Sequence, residues 1–396
     1  MTRRSPSRKH PEADAVFQRN VVQSDTSAPT SGLTTLLESA TQQILAVTYW
    51  FDPAPHSGPY PVTVRFSGRR IDVKGQLQQS DHFVQDETIE NVIPGSGPIS
   101  ITARVRSINP GSWVVTAHIL NPAHTALKAH KRENGISTTR SPSPIARFWR
   151  GWAPSTEPDK PMSTCLTPFV RVPGIFPGIW AVMVTLGIAF ALLLQFLVIS
   201  RVHLAVGPWW AVSLGAVLVG IVGAKTWFIF LYRREHRIEG WCIQGFVVSA
   251  VLTATILLVV LRVPAGVFLD ATAPGLLVAM AIGRVGCFFA GCCGGPLTAS
   301  RWGVWSSDQR VGARRIPTQL LESFLALSLG LGSLGAILSY GPRGGAFFVA
   351  ALAAYTLVRQ GILHVRAEPR RTRLGEPITA ILSALLLIAT LVFLVW

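Results

Sequence analysis

Seven long apolar runs in the C-terminal part of the chain constrain its fold more than any other feature. They cover roughly residues 176–199, 208–231, 245–262, 273–291, 318–339, 345–363 and 376–395. About 20 apolar residues in a helix span the hydrocarbon core of a bilayer. Because lipid offers the backbone no hydrogen-bond partner, each run must be helical. The sequence therefore predicts an all-α polytopic membrane bundle of about seven transmembrane helices.

The charge distribution fits a membrane protein and predicts an orientation. The net charge is +16, yet only 14% of the 396 residues are charged, against about 25% in soluble domains. Arginines concentrate in the loops at 232–240, 292–317 and 364–375, which lie on one side of a seven-span bundle. The positive-inside rule then predicts a cytoplasmic N-terminus. Basic residues at helix ends indicate membrane lipid as a partner and no nucleic acid.

The region before the first span divides into three segments. Residues 1–40 are polar and predict a disordered tail. Residues 41–120 alternate apolar and polar positions between turn signals, which predicts an antiparallel β-sandwich domain without a catalytic constellation and with an unknown partner. Residues 121–172 form a linker rich in Pro, Ser and basic residues, in which Phe148, Trp149 and Trp152 are typical of an interfacial lipid anchor.

Charged residues inside the apolar runs are the first candidates for function, since each is costly at helix depth. They are Lys225, Arg284, Glu322 and Arg359. Arg284 lies in a glycine-rich stretch, and its planar guanidinium suits a phosphate. An equally simple interpretation is that Arg284 pairs with Glu322 to lock two helices while the glycines pack.

The stretch around Arg284 resembles a known signature. Residues 283–288 read Gly-Arg-Val-Gly-Cys-Phe and are similar to the Gly-Arg-hydrophobic-Gly-Asn-Phe signature of bacterial prolipoprotein diacylglyceryl transferases. Downstream, Arg315-Ile-Pro-Thr-Gln-Leu-Leu-Glu322 resembles the family's Arg-His-Pro-Ser-Gln-Leu-Tyr-Glu. Gly223-Ala-Lys225, and Tyr355 with Arg359 and Arg366, resemble further family positions. The likeness covers roughly residues 176–395, so the transferase-like domain is expected at 173–396.

The resemblance implies an activity and a set of site residues. Family members transfer the diacylglyceryl group of phosphatidylglycerol to a Cys thiol of a lipoprotein precursor and release glycerol 1-phosphate. It implies a multi-pass protein of the bacterial cell membrane whose partners are phosphatidylglycerol and a lipoprotein precursor or other thiol acceptor. No cofactor and no metal ion are expected. Catalytic roles are expected for Arg284, Arg315, Glu322, Cys292 and Gln244. Binding of phosphatidylglycerol is expected from Arg284, Gly286, Gly291, Gly295, Gln319 and Arg359.

Several positions depart from the family pattern. Gln244 stands where the family has a His, Cys287 where it has an Asn, and Cys292 where it has a Glu. An amide cannot act as a general base. Cys287 and Cys292 lie about 140° apart on a helix, so they meet only if the helix ends near Gly291. A thiolate beside Arg284 would then be a nucleophile or relay; otherwise the cysteines are small apolar fillers.

The alternative function is a non-catalytic or re-purposed lipid-binding protein of the same fold, favoured by the missing acid–base residues. A small-solute transporter is disfavoured because the sequence lacks an inverted repeat. The resemblance places the signature face outside the cytoplasm, whereas the loop charges place it inside. The charge pattern is the basis of the predicted orientation.

Overall fold

The computed structural model describes residues 43–73, 75–76, 78–106, 108–120, 144–153, 155–156, 161–166, 169–202, 206–231, 241–367 and 375–396. The predicted disordered tail at 1–40, much of the predicted linker and the 232–240 loop lie outside these residues.

An antiparallel β-sandwich precedes the membrane helices, as predicted. Its strands are β1 (Gln43–Phe51), β2 (Tyr60–Arg70), β3 (His82–Val92), β4 (Ile99–Val105), β5 (Ser112–Ile119), β6 (Met162–Ser163), β7 (Cys165–Leu166), β8 (Val304–Ser307) and β9 (Val311–Arg315). One sheet has the order β7-β1-β4-β9-β8 and the other β3-β2-β5-β6. Alternation explains the core, because Val62, Val64 and Phe66 are fully buried while the residues between them are not.

Two strands of this sandwich come from the connection between two membrane helices. The β8–β9 hairpin pairs with β4 through Ser100–Gly312 and Ile101–Val311. Val311 and Ala313 belong to the same buried core as the strands near the N-terminus. The arginines of 292–317 predicted a basic loop there, and these strands were not predicted. The soluble domain and the connection therefore share one hydrophobic core.

Seven helices of the described residues are long and apolar enough to cross a membrane, which confirms the predicted bundle. A short helix, α1 (Pro144–Trp152), precedes them. The seven are α2 (Ile179–Arg201), α3 (Val206–Leu231), α4 (Ile243–Val260), α5 (Ala265–Ala290), α6 (Thr318–Tyr340), α7 (Ala346–Leu363) and α8 (Gly375–Val395).

Helix α5 is the central element of the bundle. Half of its apolar window is buried, the largest share among these helices, and it packs on α2, α6 and α7. Successive antiparallel spans place the C-terminal end of α5 and the N-terminal end of α6 on the same side as the β-sandwich, which the β8–β9 hairpin joins to both. The residues of the predicted site therefore lie at the sandwich end of the bundle.

Helix α1 corrects the interpretation of its aromatic residues as a lipid anchor. Trp149 is 8% exposed and stacks on Trp305 of β8 at a centroid distance of 6.2 Å. Trp152 donates its ring N–H to the carbonyl oxygen of Ile175 at 3.2 Å. Only Phe148 of the three is largely exposed. The two tryptophans therefore pack against the β8–β9 hairpin and the segment just before α2. Aromatic side chains in these elements remove them from solvent.

Asp270, near the start of α5, ties α5 to the start of α7. Its carboxylate accepts hydrogen bonds from the backbone N–H groups of Arg343, Gly345 and Phe348 at 2.7, 2.9 and 3.1 Å. The donors precede or open α7, where backbone N–H groups lack helical partners. Asp270 is fully buried, so the carboxylate and the donors satisfy one another.

Asp270→Asn should lower the free energy of unfolding by about 1.5–3 kcal/mol, the usual worth of a hydrogen bond to a charged group. The amide keeps the shape but turns an N–H group towards a donor. Thermal unfolding of the purified protein in detergent measures the effect. An unchanged midpoint would show that the cap contributes nothing.

Candidate functional site

A cluster of charged side chains around one buried carboxylate joins α5, α6 and α7. Nε of Arg284 lies 2.6 Å from Oε2 of Glu322, and Nε of Arg359 lies 3.8 Å from Oε1 of the same carboxylate. Glu322 is 1% exposed. The three residues occupy three different helices, so helix packing alone brings them together. The Arg284–Glu322 pair that the sequence suggested as a helix lock is present.

The charges in this cluster do not balance. Among the described residues, two guanidinium groups share one carboxylate, which leaves an excess positive charge at this end of the membrane helices. An uncompensated charge out of water is strongly unfavourable unless a counter-charge approaches it. The cluster is therefore suited to an anion, and a guanidinium presents a planar fork that matches a phosphate.

Further polar groups surround Arg284. Tyr355, Cys287 and Cys293 lie close enough to interact with its charge. Tyr355 is 2% exposed, and its hydroxyl has no hydrogen-bond partner among the described residues. A buried hydroxyl without a partner is rare. Its position beside an unbalanced arginine makes it a candidate donor to a bound anion.

Arg315 holds the hairpin and the glycine-rich loop together. Its guanidinium donates to Oδ2 of Asp308 at 2.6 Å, to the carbonyl oxygen of Val311 at 3.3 Å and to that of Gly295 at 3.4 Å. It is 7% exposed. Several of its donors are thus engaged by protein. The structure gives Arg315 a bracing position, and its expected phosphate contact stays a prediction.

The glycines of the signature are explained by packing. A Cβ on Gly286 would lie 2.8 Å from Cβ of Met183 on α2. Gly291 ends α5 with φ 72°, and a Cβ there would lie 2.8 Å from the carbonyl oxygen of Ser307. Gly295 abuts the backbone of Ile316. Protein atoms thus occupy the space that a side chain would need at all three glycines. Their expected binding of phosphatidylglycerol stays a prediction.

Cys287 and Cys292 were expected to meet only if α5 ended near Gly291, and α5 does end there. Because the helix stops at Gly291, Cys292 turns back and its thiol lies 3.7 Å from the carbonyl oxygen of Cys287. Gln319 and Thr318, in the first turn of α6, donate to the carbonyl oxygens of Cys292 and Cys293 at 2.7 and 3.0 Å. Gln319 thus fixes the loop. Within the described ranges no group of His, Cys, Asp and Glu side chains is placed to hold a metal ion.

Gln244 lies at the start of α4 and is exposed. The thiol of Cys242 lies 3.9 Å from its Oε1, and α4 packs mainly on α3. Nearby, Nζ of Lys225 lies 5.4 Å from the ring centroid of Trp241. Gln244 thus stands on α4, whereas the Arg284 cluster is built from α5, α6 and α7. Its expected catalytic role stays a prediction.

An apolar cavity of about 450 Å³ adjoins the last turn of α5. Aromatic and aliphatic side chains of α1, α5 and β8 line it, including Phe148, Trp149, Phe288, Phe289, Val304 and Trp305. Its walls come from both the soluble region and the membrane helices, and they suit an apolar group such as an acyl chain.

The sequence suggested Cys287 as part of a nucleophile or relay and matched Tyr355 and Arg366 to family positions, but it gave no role to Thr318 or Cys293. Arg366 interacts with the charge of Cys293. The backbone N–H of Ala367 donates to the carbonyl oxygen of Gly294 at 3.3 Å, which brings the end of α7 to this loop. The sequence treated Arg366 both as a loop charge and as a match to a family position. The fold adds that it lies near Cys293.

Comparison with known proteins identifies the family that the signature around Arg284 resembles. The family model of prolipoprotein diacylglyceryl transferases matches residues 170–396. The phosphatidylglycerol–prolipoprotein diacylglyceryl transferase of Dehalococcoides mccartyi is 32% identical over 134 residues, 33% of this chain and 51% of that protein. The second such enzyme of Streptomyces coelicolor is 30% identical over 186 residues, 41% of this chain and 58% of that protein.

The second enzyme of this kind from Clostridium perfringens is 33% identical over 107 residues, 26% of this chain and 40% of that protein. The chain thus spans about half the length of the curated relatives it matches. No solved structure matches it. The family match covers more than half of the chain, includes every residue of the Arg284 cluster and contains the seven apolar helices. This multi-pass membrane protein therefore belongs to the prolipoprotein diacylglyceryl transferase family.

Proposed function

We propose that the chain is a phosphatidylglycerol-dependent diacylglyceryl transferase whose acceptor is a Cys thiol of a lipoprotein precursor. The observation that carries the proposal is the unbalanced cluster, in which Arg284 and Arg359 share Glu322. The phosphate diester of phosphatidylglycerol supplies the missing negative charge. Its acyl chains supply the apolar surface that the neighbouring cavity can bury.

In the proposed reaction the acceptor sulfur attacks the carbon of the diacylglyceryl group that bears the phosphate ester. The carbon–oxygen bond breaks, and its electron pair leaves on glycerol phosphate. The thiol proton passes to the departing phosphate monoester, whose second pKa is near 6. Negative charge grows on the phosphate oxygens as the bond breaks. Arg284 stabilises that charge because it is already oriented by Glu322 and needs no reorganisation.

The other residues of the site have supporting roles in this proposal. Tyr355 donates its unpartnered hydroxyl to the bound phosphate. Gln319, through Cys292, keeps the loop after α5 in place. Arg315 braces that loop from the β-sandwich side. Gln244 takes no proton, since an amide is not a base.

Restoration of lipidation in bacteria depleted of their own transferase tests the proposed function. The full chain should restore diacylglyceryl modification of a reporter lipoprotein, while an Arg284→Ala chain at equal abundance in the membrane should not. Failure of the abundant, membrane-inserted wild-type chain to modify any lipoprotein would contradict the proposal. The chain would then be better described as a lipid-binding member of the family.

We further propose that the chain resides in the bacterial cell membrane with its N-terminus and β-sandwich in the cytoplasm. The basis is the excess of arginine in the loops at the sandwich end.

In a chain without native cysteines, a single cysteine in the 232–240 loop should react with a membrane-impermeant maleimide only after the cells are opened. Val395→Cys, at the exposed end of α8 on the opposite side, should react in intact cells. The reverse pattern would overturn this orientation.

A further inference from the structure

Three thiols form a cluster where α5 ends. The thiol of Cys292 lies 3.7 Å from the carbonyl oxygen of Cys287, and the side chains of Cys287, Cys292 and Cys293 lie close enough to interact. All three residues are partly exposed and free of disulfides. Two of the three stand where the family signature has a polar residue, so the cluster is a departure of this chain from that pattern. The transfer reaction proposed above makes no use of it.

The backbone of the cluster is held in an unusual conformation. Cys293 has φ 60°, a region that costs a non-glycine residue energy and that persists where the surroundings impose it. Here the surroundings are the left-handed turn at Gly291 and the hydrogen bonds from Thr318 and Gln319 to the carbonyl oxygens on either side. The first turn of α6 thus holds Cys293 next to Cys287.

The surroundings of Cys293 favour the thiolate. Hydrogen bonds from the thiols of Cys287 and Cys292 lower the pKa of Cys293, and the charges of Arg366 and Arg284 lower it further. By contrast, burial raises the pKa of Cys165 in β7. The thiolate is the form of cysteine that reacts with electrophiles and oxidants. Partly exposed, low-pKa cysteines beside a second thiol are the ones that peroxides oxidise reversibly.

We propose that Cys293 and Cys287 form a redox-active pair that a hydroperoxide oxidises to a disulfide. The sulfur of Cys293 attacks the peroxide and becomes a sulfenic acid, while the oxygen–oxygen bond breaks and the peroxide is reduced to an alcohol or water. The Cys287 thiol then attacks that sulfur, its proton leaves with the hydroxyl as water, and the sulfur–sulfur bond forms. Two electrons pass from the two sulfurs to the peroxide.

Cys287 is the resolving thiol because Cys292 adjoins Cys293 in sequence. Consecutive Cα atoms lie about 3.8 Å apart, below the range of about 4.4–6.8 Å that disulfides usually span. Cys287 is six residues away, and its thiol lies close enough to that of Cys293 to interact with it. The disulfide would tie the last turn of α5, one turn after Arg284, to the loop that follows the helix. The modification site thus lies directly beside the proposed phosphate site.

Alkylation and peptide mass spectrometry of the purified full chain test the pair. At pH 6, iodoacetamide should modify Cys293 about tenfold or more faster than Cys165, because only the former is substantially a thiolate. Equimolar hydrogen peroxide should then produce a reducible cross-link between the peptides of Cys287 and Cys293. Cys293→Ser should abolish the cross-link, and the matched Cys292→Ser should retain it.

Equal alkylation of Cys293 and Cys165 in the wild-type chain would overturn the proposal, and that measurement does not depend on whether any variant folds. A peroxide-induced disulfide between Cys287 and Cys292, or none at all, would overturn it as well. None of these readouts requires transfer activity, so the redox pair and the proposed function fail separately.

Discussion

Arg284→Ala is expected to lower the turnover of phosphatidylglycerol by about 10²- to 10³-fold. That is the usual effect of removing one preorganised donor to a developing negative charge. Of the cationic partners that the described residues offer Glu322, which is 1% exposed, the change leaves Arg359 at 3.8 Å. Release of labelled glycerol phosphate from phosphatidylglycerol vesicles measures the turnover, and thermal unfolding of the same preparation separates catalysis from stability.

Two further variants sharpen this prediction. Arg284→Lys keeps the charge but loses the two-pronged geometry, so turnover should fall by about tenfold or more. Arg343→Ala removes an exposed arginine from the opposite end of the bundle and should leave turnover within about twofold of wild type. If the Arg284 and Arg343 variants lose activity equally, the cause is net charge and the proposed phosphate contact is wrong.

Ile101→Asp is expected to abolish transfer although it lies outside the residues that match the family. Ile101 is fully buried and pairs with Val311 across β4 and β9. An unpaired carboxylate in that core should destabilise the sandwich by more than about 3 kcal/mol. The hairpin would then lose its partner strand, and Arg315 would no longer hold Asp308 and Gly295 in place.

Val84→Asp is the matched control, since Val84 lies on β3 with 64% of its surface exposed. It should leave both transfer and the protease resistance of residues 43–119 unchanged. For Ile101→Asp, transfer should fall at least tenfold together with that resistance. A sandwich that becomes protease-sensitive while transfer continues would show that the soluble domain does not support the site.

The seven spans could be predicted because the length of an apolar run can be read from a local stretch of sequence. In lipid, a single apolar segment satisfies its backbone hydrogen bonds by forming a helix. The period-two pattern likewise predicted the early strands, since Val62, Val64 and Phe66 face one core. The β8–β9 hairpin was missed. Its strands are only four and five residues long, and arginines stand before β9 and at its end. The strands are stable because β4 offers them an edge.

The site could be predicted only where chemistry is local. Arg284 and Glu322 were recognised as costly charges at helix depth, and they form an ion pair. The engagement of Arg315 by Asp308 depends on a hairpin that the pattern did not reveal. The position of Cys293 depends on the left-handed turn at Gly291 and on donors from α6. The positions of Arg315 and Cys293 depend on contacts between elements that are far apart in sequence. No single stretch of sequence contains those contacts.

The most direct measurement of the central claim combines the purified chain with vesicles of phosphatidylglycerol labelled in its headgroup glycerol and a cysteine peptide. We expect labelled glycerol phosphate and diacylglyceryl-modified peptide in equal amounts, and we expect both to be lost with Arg284→Ala. Binding of phosphatidylglycerol without release of the label, whatever the peptide, would contradict it.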